Sequence, residues 1–104
     1  MPRIVLVDDD RSHTMSLSMM LEAEGFEVEC YLDGLAAWKA LSKSLPDILV
    51  LDVKLPGLDG MDVLQRLRYV SNIPVMFCTS KQDEIDEVLG LRMGADDYVK
   101  KPSS

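Results

Sequence analysis

At 104 residues the chain has room for one small domain, spanning 1–104, and not for two. Its 11 Lys and Arg against 18 Asp and Glu leave a formal charge of −7, which argues against DNA or anionic lipid as a direct ligand and favours an acidic cleft that takes a cation. Hydrophobic residues make up 47%, and ordering a chain of this size costs on the order of 150 kcal/mol, so most of that apolar content has to be buried.

Strand-like and helix-like segments alternate from the start. Arg3–Val7 (RIVLV) reads as a buried strand. SHTMSLSMMLEAEG follows, with Met15, Leu17, Met19, Met20 and Leu21 at helical spacing and Gly25 as the stop. Glu27–Tyr31 (EVECY) is a second strand, in which Val28 and Cys30 alternate with acids. Asp33 caps a second helix, Gly34 to Leu45, with Leu35, Trp38 and Leu41 on one stripe. Ile48 to Leu51 is an unbroken apolar run that stops at one carboxylate, Asp52, before the Pro and Gly punctuation of LDVKLPGLDG. A third helix is expected near Met61 to Tyr69 on Val63, Leu64 and Leu67, and IPVMFC gives strand four. Lys81 to Met93 reads as helix four, closed by Gly94, and DYV (Asp97 to Val99) as strand five. Cys30 and Cys78 sit in apolar runs without CxxC spacing and read as reduced, buried thiols. No stretch approaches membrane-spanning length and no signal-peptide pattern appears, so a soluble, cytoplasmic protein is expected.

Buried strands alternating with helices predict an α/β fold, specifically a flavodoxin-like, doubly wound five-stranded parallel sheet in the order 2-1-3-4-5. Ligands of such sheets bind at the carboxyl ends of strands 1 and 3, where the strand order reverses. Several strands deliver polar groups to that rim. Strand one ends in VDDD (Asp8, Asp9, Asp10), strand three in Asp52, strand four in TSK (Thr79 to Lys81), and strand five runs into KKP (Lys100 to Pro102).

Each group alone has an ordinary explanation. Asp8 to Asp10 suit a turn and helix cap, Thr79 or Ser80 a cap, Lys101 a solvated charge, and Asp52 a strand end. None of these explanations predicts all the groups at one edge. Carboxylates brought within ~4 Å repel by ~4 kcal/mol at an effective dielectric of about 20, so Asp8, Asp9 and Asp52 together require a cation. An all-oxygen ligand set suits a hard ion, Mg²⁺ in particular, which keeps waters and shares phosphate oxygens. A lysine and a threonine opposite the ion suit those oxygens, and the constellation suits phosphoryl transfer onto an Asp carboxylate.

With these motifs in place, the chain resembles the receiver domain of two-component response regulators. VDDD, LDVKLPGLDG, CTSK and GADDYVKKP stand in the family's order over almost the whole chain. GLRMGADDYV is similar to the class whose receivers are joined to a winged-helix DNA-binding domain, which implies transcription regulation. The resemblance makes Asp52 both the phosphoacceptor and a Mg²⁺ ligand, Asp9 a direct ligand, Asp8 a ligand through water, and the Lys54 backbone carbonyl a further ligand. It makes Lys101 the cation that pairs with the phosphoryl group, through a cis Lys101–Pro102 peptide. Thr79 bonds that group through its hydroxyl, with the Ser80 N–H assisting, and Thr79 and Tyr98 form the switch. The implied partner is a sensor histidine kinase, whose phosphohistidine the Asp52 carboxylate attacks in line. The implied module is a phosphoacceptor and not a turnover enzyme, and it binds neither DNA nor membrane itself.

Two departures set further expectations. Ser103 stands where the family carries an aromatic residue, and the chain stops at KPSS, ahead of the family's fifth helix. A C-terminally truncated receiver is therefore expected, with the final helix missing, no effector domain, and apolar surface exposed where that helix lies in the family. The family's homodimer through helix four and strand five, near Asp96 and Asp97, is expected to be impaired. Two other readings stand beside the first. A phosphotransferase or phosphatase with an Asp nucleophile is disfavoured because Lys54 occupies the place of that class's second acid. A phosphorylation-independent interaction module is disfavoured by the intact acid set. His13, the only histidine, stands near the start of helix one and is expected to be a surface helix residue rather than a catalytic one.

Overall fold

Short runs of Val, Leu and Ile between helix-forming segments give an alternating α/β architecture in the computed structural model. It describes residues 2–79 and 97–100, with Thr79 and the last four described by their backbone. The elements are β1 (Arg3–Val7), α1 (Arg11–Ala23), β2 (Glu27–Tyr31), α2 (Gly34–Lys43), β3 (Ile48–Asp52), α3 (Gly60–Arg68), β4 (Val75–Thr79) and β5 (Asp97–Lys100). The strands form one parallel sheet in the order β2-β1-β3-β4-β5, the arrangement that the sequence predicts. The helix expected over Lys81 to Met93 lies outside the described residues.

Period-two alternation divides the apolar strand residues between two layers. Val5, Val7, Leu49, Leu51, Val75 and Phe77 face α2 and α3, where they meet Ala37, Leu41, Val63, Leu64 and Leu67. Ile4, Leu6, Val50 and Cys78 face the other way, against Leu17 and Leu21 of α1 and Phe26 behind it. The same alternation carries Asp8, two residues after Leu6, and Asp52, two after Val50, to the α1 side of the sheet.

Several expectations about burial are corrected. The inward stripe of α1 is Thr14, Leu17 and Leu21, whereas Met15, Met19 and Met20 are about two-thirds exposed on the outer face. In α2 the buried positions are Gly34, Ala37 and Leu41; Trp38 packs at the margin, and Leu35 points outward. Cys30 is exposed and only Cys78 is buried, because β2 is the edge strand. Strand four begins at Val75 rather than Ile73: Pro74 has no N–H for the ladder, although its carbonyl still accepts from Leu49 N at 3.0 Å. Among the described residues, no helix is long and apolar enough to cross a membrane.

The helix starts and stops follow local chemistry. Asp10, Asp33 and Asp59 each cap a helix with a side-chain oxygen on a first-turn N–H. The end of α1 turns through Gly25 at φ 95°, and the Gly25 and Phe26 amides bond the Glu22 and Leu21 carbonyls, a paired closure that a left-handed residue permits.

Two other glycines act by close approach. Gly60 N donates to Val53 O at 2.9 Å, so the loop after β3 folds back on itself. A Cβ on Gly60 would overlap the Asp52 carbonyl oxygen and lie 2.9 Å from Val53 Cα. A Cβ on Gly34 would overlap the Leu58 carbonyl oxygen and lie 2.7 Å from its carbonyl carbon. Helix propensity alone favours alanine over glycine by up to about 1 kcal/mol at a helical position. The structure reverses that sign. Gly34→Ala and Gly60→Ala are each expected to destabilise the domain by about 2–3 kcal/mol in urea unfolding, because backbone has to move. Gly25→Ala, where space is open and only the positive φ is strained, is expected to cost about 1–2 kcal/mol.

Candidate functional site

The parallel register brings the site together. Val7 pairs with Leu51, so the next residue on each strand sets Asp8 beside Asp52. Asp52 pairs with Cys78 across β3 and β4, and Thr79 pairs with Lys100 across β4 and β5. The edge where these strands end carries Asp8, Asp9, Asp52 and Thr79, the rim that the sequence analysis singles out.

Asp8 and Asp52 are buried, at 1% and 6% exposure, while Asp9 is exposed. One carboxylate oxygen from each of the three lies within 4.8 Å of the others. At that separation two ionised carboxylates repel by roughly 3 kcal/mol at an effective dielectric of about 20. The donor set is oxygen only, two buried and one facing solvent, with charge to neutralise. That chemistry fits a hard divalent cation that keeps part of its water shell, and Mg²⁺ fits it.

Local bonds fix the acids before any ion arrives. Asp8 N donates to Tyr31 O at 3.0 Å, which extends the β1–β2 ladder to the site. Asp8 Oδ1 accepts from Asp10 N at 3.0 Å. Asp10 is the turn-and-cap residue of the acidic run: its Oδ1 accepts from His13 N at 3.2 Å and its carbonyl accepts from Thr14 N at 3.0 Å. The turn-and-cap explanation therefore holds with Asp8 as the turn and Asp10 as the cap, and Asp8 and Asp9 each place a carboxylate oxygen in the cluster as well. Lys54 N approaches Asp52 Oδ1 at 3.4 Å, and the Lys54 side chain is exposed between buried Val53 and Leu55. Gly57, at φ 72°, turns the loop that follows.

The other expected residues divide by position. Thr79 is the last residue of β4 and Tyr98 lies in β5 opposite Phe77. Ser80, Asp96, Lys101 and Pro102, and with them the expected cis peptide, lie outside the described residues.

His13 has a contact that the surface reading does not include: its side chain is 19% exposed, and Nδ1 lies 2.6 Å from Asp8 Oδ2. A signal was present in the sequence. His13 is the third residue of α1, and a side chain there can reach back past the cap toward the residues that precede it.

Comparison with known proteins agrees with this geometry. The family model described as the response regulator receiver domain matches residues 4–104. The chain belongs to that family. It is 45% identical over 100 residues to the DNA-binding response regulator MtrA of Mycobacterium tuberculosis (strain ATCC 25618 / H37Rv), covering 96% of this chain and 44% of that protein. It is 47% identical over 102 residues to the transcriptional regulatory protein CpxR homolog of Haemophilus influenzae, covering 98% of this chain and 44% of the relative. This receiver chain thus spans less than half the length of these curated relatives. Among solved structures, the BeF3-activated N-terminal receiver domain of Klebsiella pneumoniae RstA matches with a TM-score of 0.91 at 31% identity, covering 98% of this chain and 87% of that one. The Francisella response regulator 1452 receiver domain matches with a TM-score of 0.91 at 30% identity, covering 100% of this chain and 87% of that one.

A bound cation stabilises the folded state by mass action, about 2.7 kcal/mol at a hundredfold excess over its dissociation constant. Added MgCl₂ is expected to raise the thermal midpoint of the wild-type receiver domain. Asp52→Asn and Asp8→Asn are each expected to lose most of that rise and, in EDTA, to unfold no earlier than wild type, since each removes a repelling charge. Differential scanning calorimetry of the three proteins with and without MgCl₂ checks both parts.

Proposed function

We propose that this receiver domain takes one phosphoryl group onto the Asp52 carboxylate from a phosphohistidine of a sensor histidine kinase, and so works as a Mg²⁺-dependent switch in transcription regulation. The observation that carries the reading is a buried acid, Asp52, at the carboxyl end of a central strand with two further carboxylates within 4.8 Å. A strand-end acid without chemistry has no reason to be buried among others of like charge.

In the step itself, an Asp52 carboxylate oxygen attacks phosphorus in line. The new O–P bond forms as the P–N bond to the donor imidazole breaks, and that nitrogen keeps the electron pair and takes up a proton. When bound, Mg²⁺ supplies positive charge to the transferring phosphoryl oxygens. Asp9 and Asp52 would hold it directly, Asp8 through water, and the Lys54 backbone carbonyl would be a further ligand. Lys101 pairs with the phosphoryl oxygens, and the Thr79 hydroxyl bonds to them. Burial of Asp52 limits the access of bulk water to the acyl phosphate. Thr79 and Tyr98 carry the change to the surface near β5. The −7 charge supports a signalling domain that leaves DNA contact to another part of a longer protein.

The test uses a small phosphodonor such as acetyl phosphate with MgCl₂, read by intact mass. One phosphoryl group per chain is expected, lost in Asp52→Asn and in EDTA, and slowed at least tenfold in Lys101→Ala, the scale of one lost charge-stabilising contact. Multiple turnover of an added phosphomonoester would instead favour an Asp-dependent phosphatase. No labelling of folded, Mg²⁺-binding protein would favour a phosphorylation-independent interaction module.

A further inference from the structure

The histidine that touches the acidic cluster is absent from the ligand set and from the transfer chemistry above. His13 sits at the third position of α1, and its backbone N–H is held by the Asp10 cap. Its ring turns back toward the strand end. Nδ1 lies 2.6 Å from Asp8 Oδ2, and Nε2 lies 4.0 Å from Cys78 Sγ. The Asp8 and His13 side chains are 2% and 19% exposed. The ring therefore runs between the end of β1 and the end of β4, and Cys78 is the register partner of Asp52.

The direction of the short bond follows from the inventory of donors. With Asp8 ionised its carboxylate only accepts, and the short bond then requires the hydrogen on Nδ1, donated to Oδ2. The other Asp8 oxygen already accepts from Asp10 N. Two donors from the first turn of α1 and its approach thus hold the two oxygens of one buried carboxylate. A carboxylate held at both oxygens cannot rotate about its last bond without breaking a hydrogen bond. Its lone pairs are then aimed before the cation and its waters arrive, which is how partners behind a metal ligand raise affinity.

We propose that His13 is a positioning residue: through its Nδ1–H it orients Asp8 for the hydrated cation, and so sets the affinity of the site for Mg²⁺. This rests on the reading of the acidic cluster as the Mg²⁺ site. The role belongs to binding and not to transfer, because His13 touches Asp8 and not Asp52. It acts at the Nδ1 position specifically. The Nε2 side faces a thiol, which is a weak partner at that distance.

The two amide side chains separate these positions. In His13→Asn an amide nitrogen takes the approximate place of Nδ1, whereas in His13→Gln it falls near the place of Nε2. Calorimetric titration of MgCl₂ into the folded receiver domain is expected to give about a tenfold weaker dissociation constant for His13→Gln, the lower end of the loss for partners behind a metal ligand. His13→Asn is expected to stay within about threefold of wild type, and His13→Leu to fall with His13→Gln. At saturating MgCl₂, labelling of His13→Gln by acetyl phosphate is expected to return to the wild-type rate. Unfolding midpoints in EDTA should not rank the variants in this order, which separates positioning from general stability. Long-range ¹H–¹⁵N spectra should place a proton on Nδ1 of His13.

Equal Mg²⁺ affinity in wild type and His13→Gln would overturn the proposal, as would equal loss in His13→Asn and His13→Gln, or an Nδ1 without its proton. A wild-type chain that folds but binds no Mg²⁺ would overturn the metal-site reading and this role with it. Intact wild-type binding with no effect of His13 would overturn this role alone.

Discussion

Two buried carboxylates, Asp8 and Asp52, are set side by side by the register of β1 and β3, and most of what this domain does depends on that placement. Left to itself, an acidic pair in a dry pocket drives its own strands apart. The sheet resists because both strands are embedded: Val5, Val7, Leu49 and Leu51 are fully buried between neighbouring strands and the α2–α3 layer. The apolar layers stabilise the fold, and the fold in turn holds the charges where separate chains would not. A cation bound at the cluster would remove the remaining repulsion, and ion binding would then be coupled to local order at this edge.

Backbone contacts hold the rest of the rim to the same standard. The loop after β3 returns so closely that Gly60 meets the Asp52 carbonyl and bonds Val53 O, while Gly34 lets the start of α2 approach Leu58. Starts of two helices are thus fastened to the segment that follows the central acid. On the other side, the cap of α1 grips Asp8 through the Asp10 amide and the His13 ring. The acids are oriented by short, local bonds on elements whose own positions come from the core. Sites built in this way need little rearrangement to bind an ion, which favours binding over reorganisation.

Much of the architecture was legible in the chain. The runs RIVLV and EVECY end where strands end, ILVL lies in a strand that runs one residue further to Asp52, and Asp33 and Gly25 stand at helix boundaries, because strand pairing and capping depend on local chemistry. The acidic rim was legible too, since parallel α/β topology sends every strand's carboxyl end to one edge. Burial of individual side chains was less so. Leu35, Met15 and Cys30 are as apolar as their buried neighbours, yet they face outward, and only the packing of α1 and α2 against the sheet and the edge position of β2 decide it. Periodicity names a face of a helix without naming which edge of that face the neighbour covers.

The sequence by itself determined the order of elements, the parallel sheet, and the kinds of group at its carboxyl edge, because these follow from patterns a few residues long. Tertiary structure alone decided which acids meet. Asp8 and Asp52 are 44 residues apart and come within 4.8 Å only through strand register, whereas adjacent Asp10 is turned away to cap a helix. It also decided that Gly34 and Gly60 admit no side chain. These are contacts between segments, set by distances across the fold, and no local pattern encodes a distance.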